Sequence, residues 1–325
     1  MTSPLLVVKN LKTYFFTNEV VVKAVDGIDF ELAKGGALGI VGESGSGKSV
    51  TSLSIIGLVH SPGRVVDGKI IFEGRNLLDL SEAELQRIRG KEIAMVFQEP
   101  MTSLNPVFTI GNQISEALII HQKMSKKEAQ ERAVELLNMV GIPDAQKRVN
   151  DYPHQLSGGM RQRVMIAMAV SCNPKLLIAD EPTTALDVTI QRQILDLLRR
   201  ISEEFGTAIM LITHNLGIIA EFVNQVAVMY LGKIVEYTDT VTLFANPSHP
   251  YTIGLLESMP RLDVSRKRLK TIPGTVPPPE EVPSGCAFHP RCEFRKEVCQ
   301  QKTPSLFTVG DGHKVACWKV VDYDE

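Results

Sequence analysis

Apolar and polar residues alternate along residues 5–33 around a short polar turn, which predicts two half-buried strands. Residues 37–42, ALGIVG, are a continuous apolar run and predict a buried strand, followed by a glycine-rich turn and a helix. From about residue 81 to 172 the spacing becomes mostly helical, in SEAELQRIRG, IGNQISEALIIH and KKEAQERAVELLNMVG, with Gly141 as the stop of the last. Short apolar strands return at 176–180, 207–213 and 225–231, and the helical VTIQRQILDLLRRISEEFG lies between the first two. That rhythm of strand, helix and strand predicts an α/β fold with a parallel sheet, and makes 81–172 an inserted helical lobe. After about residue 245 the character changes. The proline-rich stretch TIPGTVPPPEEVPSG (271–285) predicts a stiff, extended connector that delivers a cysteine-containing segment.

The 325 residues are 44% hydrophobic and 22% charged, which places the chain among folded globular proteins. With 35 Lys and Arg against 37 Asp and Glu, there is no bulk positive potential to attract a polyanion, so nucleic acid is not the expected partner. The basic run Arg261 to Lys270 reads as a solvated face. No apolar run reaches the roughly 18 residues that would span a bilayer, and MTSPLLVVKN lacks the cationic start of a secretory signal, so the expectation is a cytosolic protein. Four of the five cysteines, Cys286, Cys292, Cys299 and Cys317, fall in the last 40 residues. In a reducing compartment such a cluster argues for metal rather than disulfides. Cys172, standing apart, reads as a small apolar residue within a helix.

Residues 42–49, GESGSGKS, satisfy G-x-x-x-x-G-K-[ST] between a strand and a helix, the context that phosphate-binding loops require. Gly42, Gly45 and Gly47 remove Cβ atoms so that backbone N–H groups along the loop, including those of Ser44 and Ser46, can turn toward phosphate oxygens. Lys48 would reach the β- and γ-phosphates, Ser49 would place its hydroxyl on Mg²⁺, and Val50 offers only its amide. The bland alternative is a glycine-rich turn with no nucleotide. At the end of LLIAD, Asp180 can hold a magnesium-bound water, and the adjacent Glu181 can orient and polarise an attacking water. The alternative there is a pair of solvated carboxylates.

At LSGGMRQR (Leu156 to Arg163) the chain resembles the ABC-transporter ATPases, and their other motifs follow in order: Gln98 after EIAMVF, Ala185-Leu186-Asp187, and His214 after TAIMLIT. Together the motifs cover about 245 residues. Ser157 can cap a helix that begins with Gly158 and Gly159, leaving bare N–H groups suited to an anion. The resemblance implies a P-loop ATPase fold with a mixed sheet core over residues 1–245, the inserted helical subdomain at about 81–172, and a small extension at 246–325. It further implies that the Ser157 helix end faces the γ-phosphate of ATP on a partner subunit, with Asp187 at that interface. Phe15 is similar to the aromatic residue that stacks on adenine, with Tyr14 and Phe16 as neighbouring candidates. Gln98 would contact Mg²⁺ and the nucleophilic water, and His214 would bond the γ-phosphate.

Within that family the chain looks like the ATPase subunits of oligopeptide and dipeptide permeases, on QEPMTSLNP (98–106), HPYTIGLL (249–256), and the connector leading to C-x₅-C-x₆-C-x₁₇-C. QEPMTSLNP, with two prolines, is not expected to be helical inside and reads as the edge of a groove for a membrane-subunit helix. The cysteine spacings are wider than the usual zinc pairs. The resemblance implies a [4Fe–4S] cluster on Cys286, Cys292, Cys299 and Cys317, with Zn²⁺ as the alternative and His289 and His313 as spare ligands otherwise at the surface. The implied function is ATP- and Mg²⁺-dependent peptide import from the cytoplasmic face of the membrane. The implied partners are permease subunits, a second ATPase subunit that is a paralogue or a second copy, and indirectly a substrate-binding protein. The rival readings are a soluble DNA-repair ATPase of the same superfamily and a non-hydrolysing adaptor subunit.

Overall fold

The structure, a computed structural model, describes residues 3–184, 186–259, 271–278 and 280–321. The basic run Arg261 to Lys270 and Ala185 lie outside the described residues. The chain divides into two units.

One unit comprises Ala33–Gly36 and Asp79–Ile212. Its strands Ile93–Val96, Leu176–Asp180 and Ala208–Thr213 are parallel, with Ile93 opposite Leu176 and Leu176 opposite Ala208. The last two are buried at every position, as expected of parallel strands covered on both faces. The helices start and stop by local chemistry. Ser125 and Glu128 form a reciprocal capping box for Lys126–Met139, and Gly141 (φ 79°) follows its end. Asp187 caps the 18-residue helix Val188–Phe205, which Gly206 ends at φ 65°. Two expectations are corrected here. QEPMTSLNP does contain a helical turn, Pro100–Ser103, because its first position needs no N–H and suits proline. Cys172 is half-buried in the turn after the helix Gly158–Val170 rather than inside it, and burial raises its thiol pKa.

The other unit comprises Pro4–Leu32, Ala37–Leu78 and Thr213–Glu325. Its antiparallel sheet runs in the order Val21–Leu32, Leu6–Phe16, Gly63–Phe72, Arg75–Asn76. In the second sheet Ala37–Val41 lies parallel to Gln225–Tyr230, which pairs antiparallel with Lys233–Asp239. The hairpin Phe307–Gly310 and His313–Val315 then continues from Lys233–Asp239. The C-terminal segment is thus joined to the sheet by main-chain pairing. Fully buried Glu236 fixes the junction: it accepts from the amides of Ser248 (2.8 Å) and His249 (3.0 Å), and lies 2.8 Å from His313 Nε2. Leaving a buried hydrogen-bonding group of this kind without its partner costs about 1–3 kcal/mol. His313 is therefore a buried structural residue, not the surface histidine or spare ligand that its sequence context implies.

Candidate nucleotide site

The loop Gly42–Ser49 leaves the buried strand Ala37–Val41 and opens the helix Lys48–Ile55. Two of its glycines, Gly45 and Gly47, are needed for different reasons. At Gly47 (φ 98°) a Cβ would sit 2.2 Å from the Ala24 carbonyl oxygen, whereas at Gly45 (φ 78°) the backbone conformation demands glycine and a Cβ would meet nothing within 4 Å. Gly45 therefore faces open space, where a phosphate can approach the main chain. Lys48 is buried and its ammonium donates to the carbonyls of Gly42 (2.8 Å) and Glu43 (2.9 Å), bridging the loop. Ser46 is buried, while Ser44 is exposed and Ser49 and Val50 are half-buried.

On Leu6–Phe16, three aromatic residues have different surroundings. The Tyr14 hydroxyl donates to Asp26 (2.6 Å), and burial followed by that carboxylate raises its pKa. Phe16 lies under the Arg64 guanidinium, 4.5 Å from the ring centroid. The Phe15 ring is half-buried against Gly63, where an added Cβ would come within 2.5 Å of it. His214 is exposed directly after Ala208–Thr213.

The other unit carries an acidic strand end. Asp180 closes the buried strand at 4% exposure, and Glu181 follows with φ 46°, a left-handed conformation that is uncommon for a non-glycine residue. The Glu181 amide donates to Ile212 O (2.9 Å), which aims the side chain. Its Oε2 accepts from Thr184 Oγ1 (2.8 Å) and from Gln98 Nε2 (3.3 Å). The structure thus brings Gln98 and Glu181 together across 83 positions and adds Thr184. Thr184 was missed by sequence reasoning, although a hydroxyl three residues after the acid in EPTT is a usable local signal.

In the same unit Ser157 caps Gly158–Val170, its hydroxyl accepting from the Met160 amide at 3.3 Å. Gly158 is exposed, and a Cβ there would meet nothing nearer than Leu186 at 3.9 Å. Gly159 is different, because its Cβ would lie 2.9 Å from Ile190. Asp187 accepts from the Ile190 amide (2.9 Å), so its carboxylate holds the helix that packs on Gly159. An exposed helix N-terminus of this kind suits an anion.

Cys286, Cys292, Cys299 and Cys317 line one small cavity, together with Phe288, Phe294 and Trp318. Burial, followed by smaller contributions that include the neighbouring thiols, pushes Cys286 up to about 12, and burial also raises Cys292 and Cys317. Among the described residues no group of three or more His, Cys, Asp or Glu side chains is arranged to hold a metal ion. The thiols share a cavity without closing on one point.

A glycine-rich loop between a buried strand and a helix, with its lysine bonded back onto the loop carbonyls, is the framework of a P-loop nucleotide-binding protein. Residues 25–184 match the family described as ABC transporter, and residues 235–299 match the oligopeptide/dipeptide transporter C-terminal region. The oligopeptide transport ATP-binding protein AppD of Bacillus subtilis is 55% identical over 317 residues, 97% of each chain. OppD of Haemophilus influenzae is 52% identical over 316 residues, again 97% of each chain. Among solved structures, the dimeric ATP-binding cassette MJ0796 in a post-hydrolysis state with ADP and Pi is 30% identical, with a TM-score of 0.66, covering 72% of this chain and 98% of that one. The chain belongs to the ABC transporter ATPases. These relatives favour transport over the DNA-repair alternative.

Proposed function

We propose that this chain hydrolyses ATP at the cytoplasmic face of a membrane and couples it to uptake of peptides through permease subunits. The observation that carries the reading is that the region matching oligopeptide and dipeptide transporters, residues 235–299, begins within the strand Lys233–Asp239, which pairs with Gln225–Tyr230 beside the strand that leads into the phosphate loop. Residues 1–245 act as the ATPase domain and 246–325 as its extension. Gly42, Ser44, Gly45, Ser46, Gly47, Lys48, Ser49 and Val50 hold the phosphates, and Phe15 takes the adenine. Ser49, Asp180 and Gln98 serve Mg²⁺. Glu181 positions and deprotonates the attacking water, Gln98 assists, and His214 bonds the γ-phosphate. Ser157, Gly158, Gly159 and Asp187 act across a head-to-tail pair with a second ATPase subunit. ATP favours the closed pair because only that state engages the Ser157 tip, a differential contact of the kind that shifts populations.

The transmitting surface is a groove of about 890 Å³ lined by Ser103, Asn105, Phe108, Asn112, Ile119 and Ile120. Phe108 and Ile120 are about half exposed there, and Met101 (59%) and Val107 (70%) add apolar surface. A groove in which Phe108, Ile119 and Ile120 stand among polar residues suits an amphipathic helix of a permease subunit. No described helix is long and apolar enough to cross a membrane itself. Membrane vesicles containing the transporter, loaded with Mg-ATP and given binding protein with a labelled peptide, are expected to accumulate the peptide. Accumulation that is indifferent to ATP, or tight salt-sensitive retention of DNA instead, would overturn the reading.

What supports a thiolate-bound group in the C-terminal region is that all four cysteines line one cavity, the donor type that an iron–sulfur cluster takes. Such a group would cross-link Cys286, Cys292 and Cys299 to Cys317 and add a one-electron redox centre. Protein purified without oxygen is expected to be brown with about four irons. A colourless preparation with one zinc would replace the cluster by Zn²⁺.

A further inference from the structure

We infer that Arg291 and Tyr251, both from the C-terminal region, are positioning residues that set the phosphate loop for nucleotide through Glu43. Glu43 has three polar handles and all are held. Its amide donates to the Tyr251 hydroxyl at 2.8 Å, and its carbonyl accepts from Lys48 Nζ at 2.9 Å. Its carboxylate takes two bonds from the Arg291 guanidinium, at 2.8 and 3.1 Å. Two of the three holders lie more than 200 positions away in sequence.

The holders are themselves fixed. Arg291 Nε donates to Pro273 O at 2.9 Å, and the arginine side chain is only 6% exposed. Tyr251 packs on Tyr230 and Phe288, with ring centroids 4.8 and 5.4 Å apart. His249 caps the helix Pro250–Glu257 by accepting from the Tyr251 amide at 3.0 Å, and burial depresses its pKa to about 3, which keeps that ring nitrogen an acceptor. The HPY sequence thus aims a tyrosine hydroxyl at the loop.

The charge logic explains why arginine is needed. Position 43 is one of the unspecified positions of G-x-x-x-x-G-K-[ST], so its side chain is not required to wrap phosphate. A carboxylate in a loop built for triphosphate repels the ligand unless a cation neutralises it and holds it in place. Arg291 does both, and its bidentate fork fixes direction as well as charge. Loss of the pair lowers the fraction of loops in the binding-competent conformation, and apparent affinity falls by that fraction.

The inference rests on the nucleotide site proposed above, and its test separates the two. Mg-ATP binding and hydrolysis are measured on the full chain carrying Arg291→Met, Glu43→Gln with Arg291→Met, Arg291→Lys, Tyr251→Phe and Lys48→Ala, with thermal melting followed in parallel. Arg291→Met is expected to weaken ATP binding and raise KM roughly tenfold, with kcat at saturating ATP within about twofold. Adding Glu43→Gln should restore most of the affinity, because the uncompensated carboxylate is gone. Arg291→Lys should keep part of it, and Tyr251→Phe should weaken binding in the same direction. Unchanged affinity in Arg291→Met while Lys48→Ala abolishes binding would overturn the inference and leave the site intact. A loss that Glu43→Gln does not restore, accompanied by a lower melting temperature, would make Arg291 merely structural and also overturn it. ATP binding indifferent to Lys48→Ala would overturn the site and the inference together.

Discussion

Glu181→Gln is expected to slow ATP hydrolysis by about 10²–10⁴-fold, the range that a positioned general base contributes, while ATP still binds. The substitution keeps the shape of the side chain. Thr184 Oγ1 (2.8 Å) and Gln98 Nε2 (3.3 Å) both donate to the same oxygen, which an amide carbonyl can replace. What is lost is the second oxygen's ability to take a proton from water. Phosphate release from the assembled transporter measures the chemistry, and retained nucleotide measures binding. Full-rate hydrolysis in the variant would remove Glu181 from its role and revive the non-hydrolysing adaptor reading.

A second large effect is expected at the helix tip. Gly158→Asp places a carboxylate at the first position of Gly158–Val170, where helices tolerate acids well and where the nearest atom to an added Cβ is 3.9 Å away. The fold should therefore survive. A negative charge at the proposed anion site should cost roughly 10²–10³-fold in hydrolysis, similar to losing one oxyanion donor. ATP binding by the phosphate loop should change little. Gly159→Ala is a useful contrast: its Cβ meets Ile190 at 2.9 Å, so its damage would be steric and would appear in stability.

What was legible in the sequence is what is local. The strand, glycine-rich loop and helix around Lys48 follow from eight consecutive residues, and the cap at Ser157 from three. The buried strands Leu176–Asp180 and Ala208–Thr213 are apolar up to their last residue, which marks them as interior. Gly63–Phe72 was not anticipated: two glycines and Asp67 interrupt its apolar positions, and only Ile70 and Phe72 in it are buried. Lys233–Asp239 reverses the parallel direction directly after Gln225–Tyr230, through Leu231 and Gly232, both at positive φ. Periodicity alone carries no direction.

The remaining features depend on pairs that are remote in the chain. His313 meets Glu236 across 77 positions, and Arg291 meets Glu43 across 248. Composition near His313 and Arg291 says surface, because it cannot register a partner supplied by another element. For the same reason the cysteine segment read as an appendage on a stiff connector, although its hairpin extends the sheet and its arginine reaches the phosphate loop.

In the proposed mechanism, ATP on the Gly42–Ser49 loop of one subunit is completed by the signature helix tip of a second. Its most direct test is the structure of the assembled transporter carrying Glu181→Gln with Mg-ATP bound. The γ-phosphate is expected between Lys48 of one subunit and the Ser157–Gly159 amides, or their counterparts, of the other. Nucleotide bound with that tip directed elsewhere in the closed assembly would contradict it.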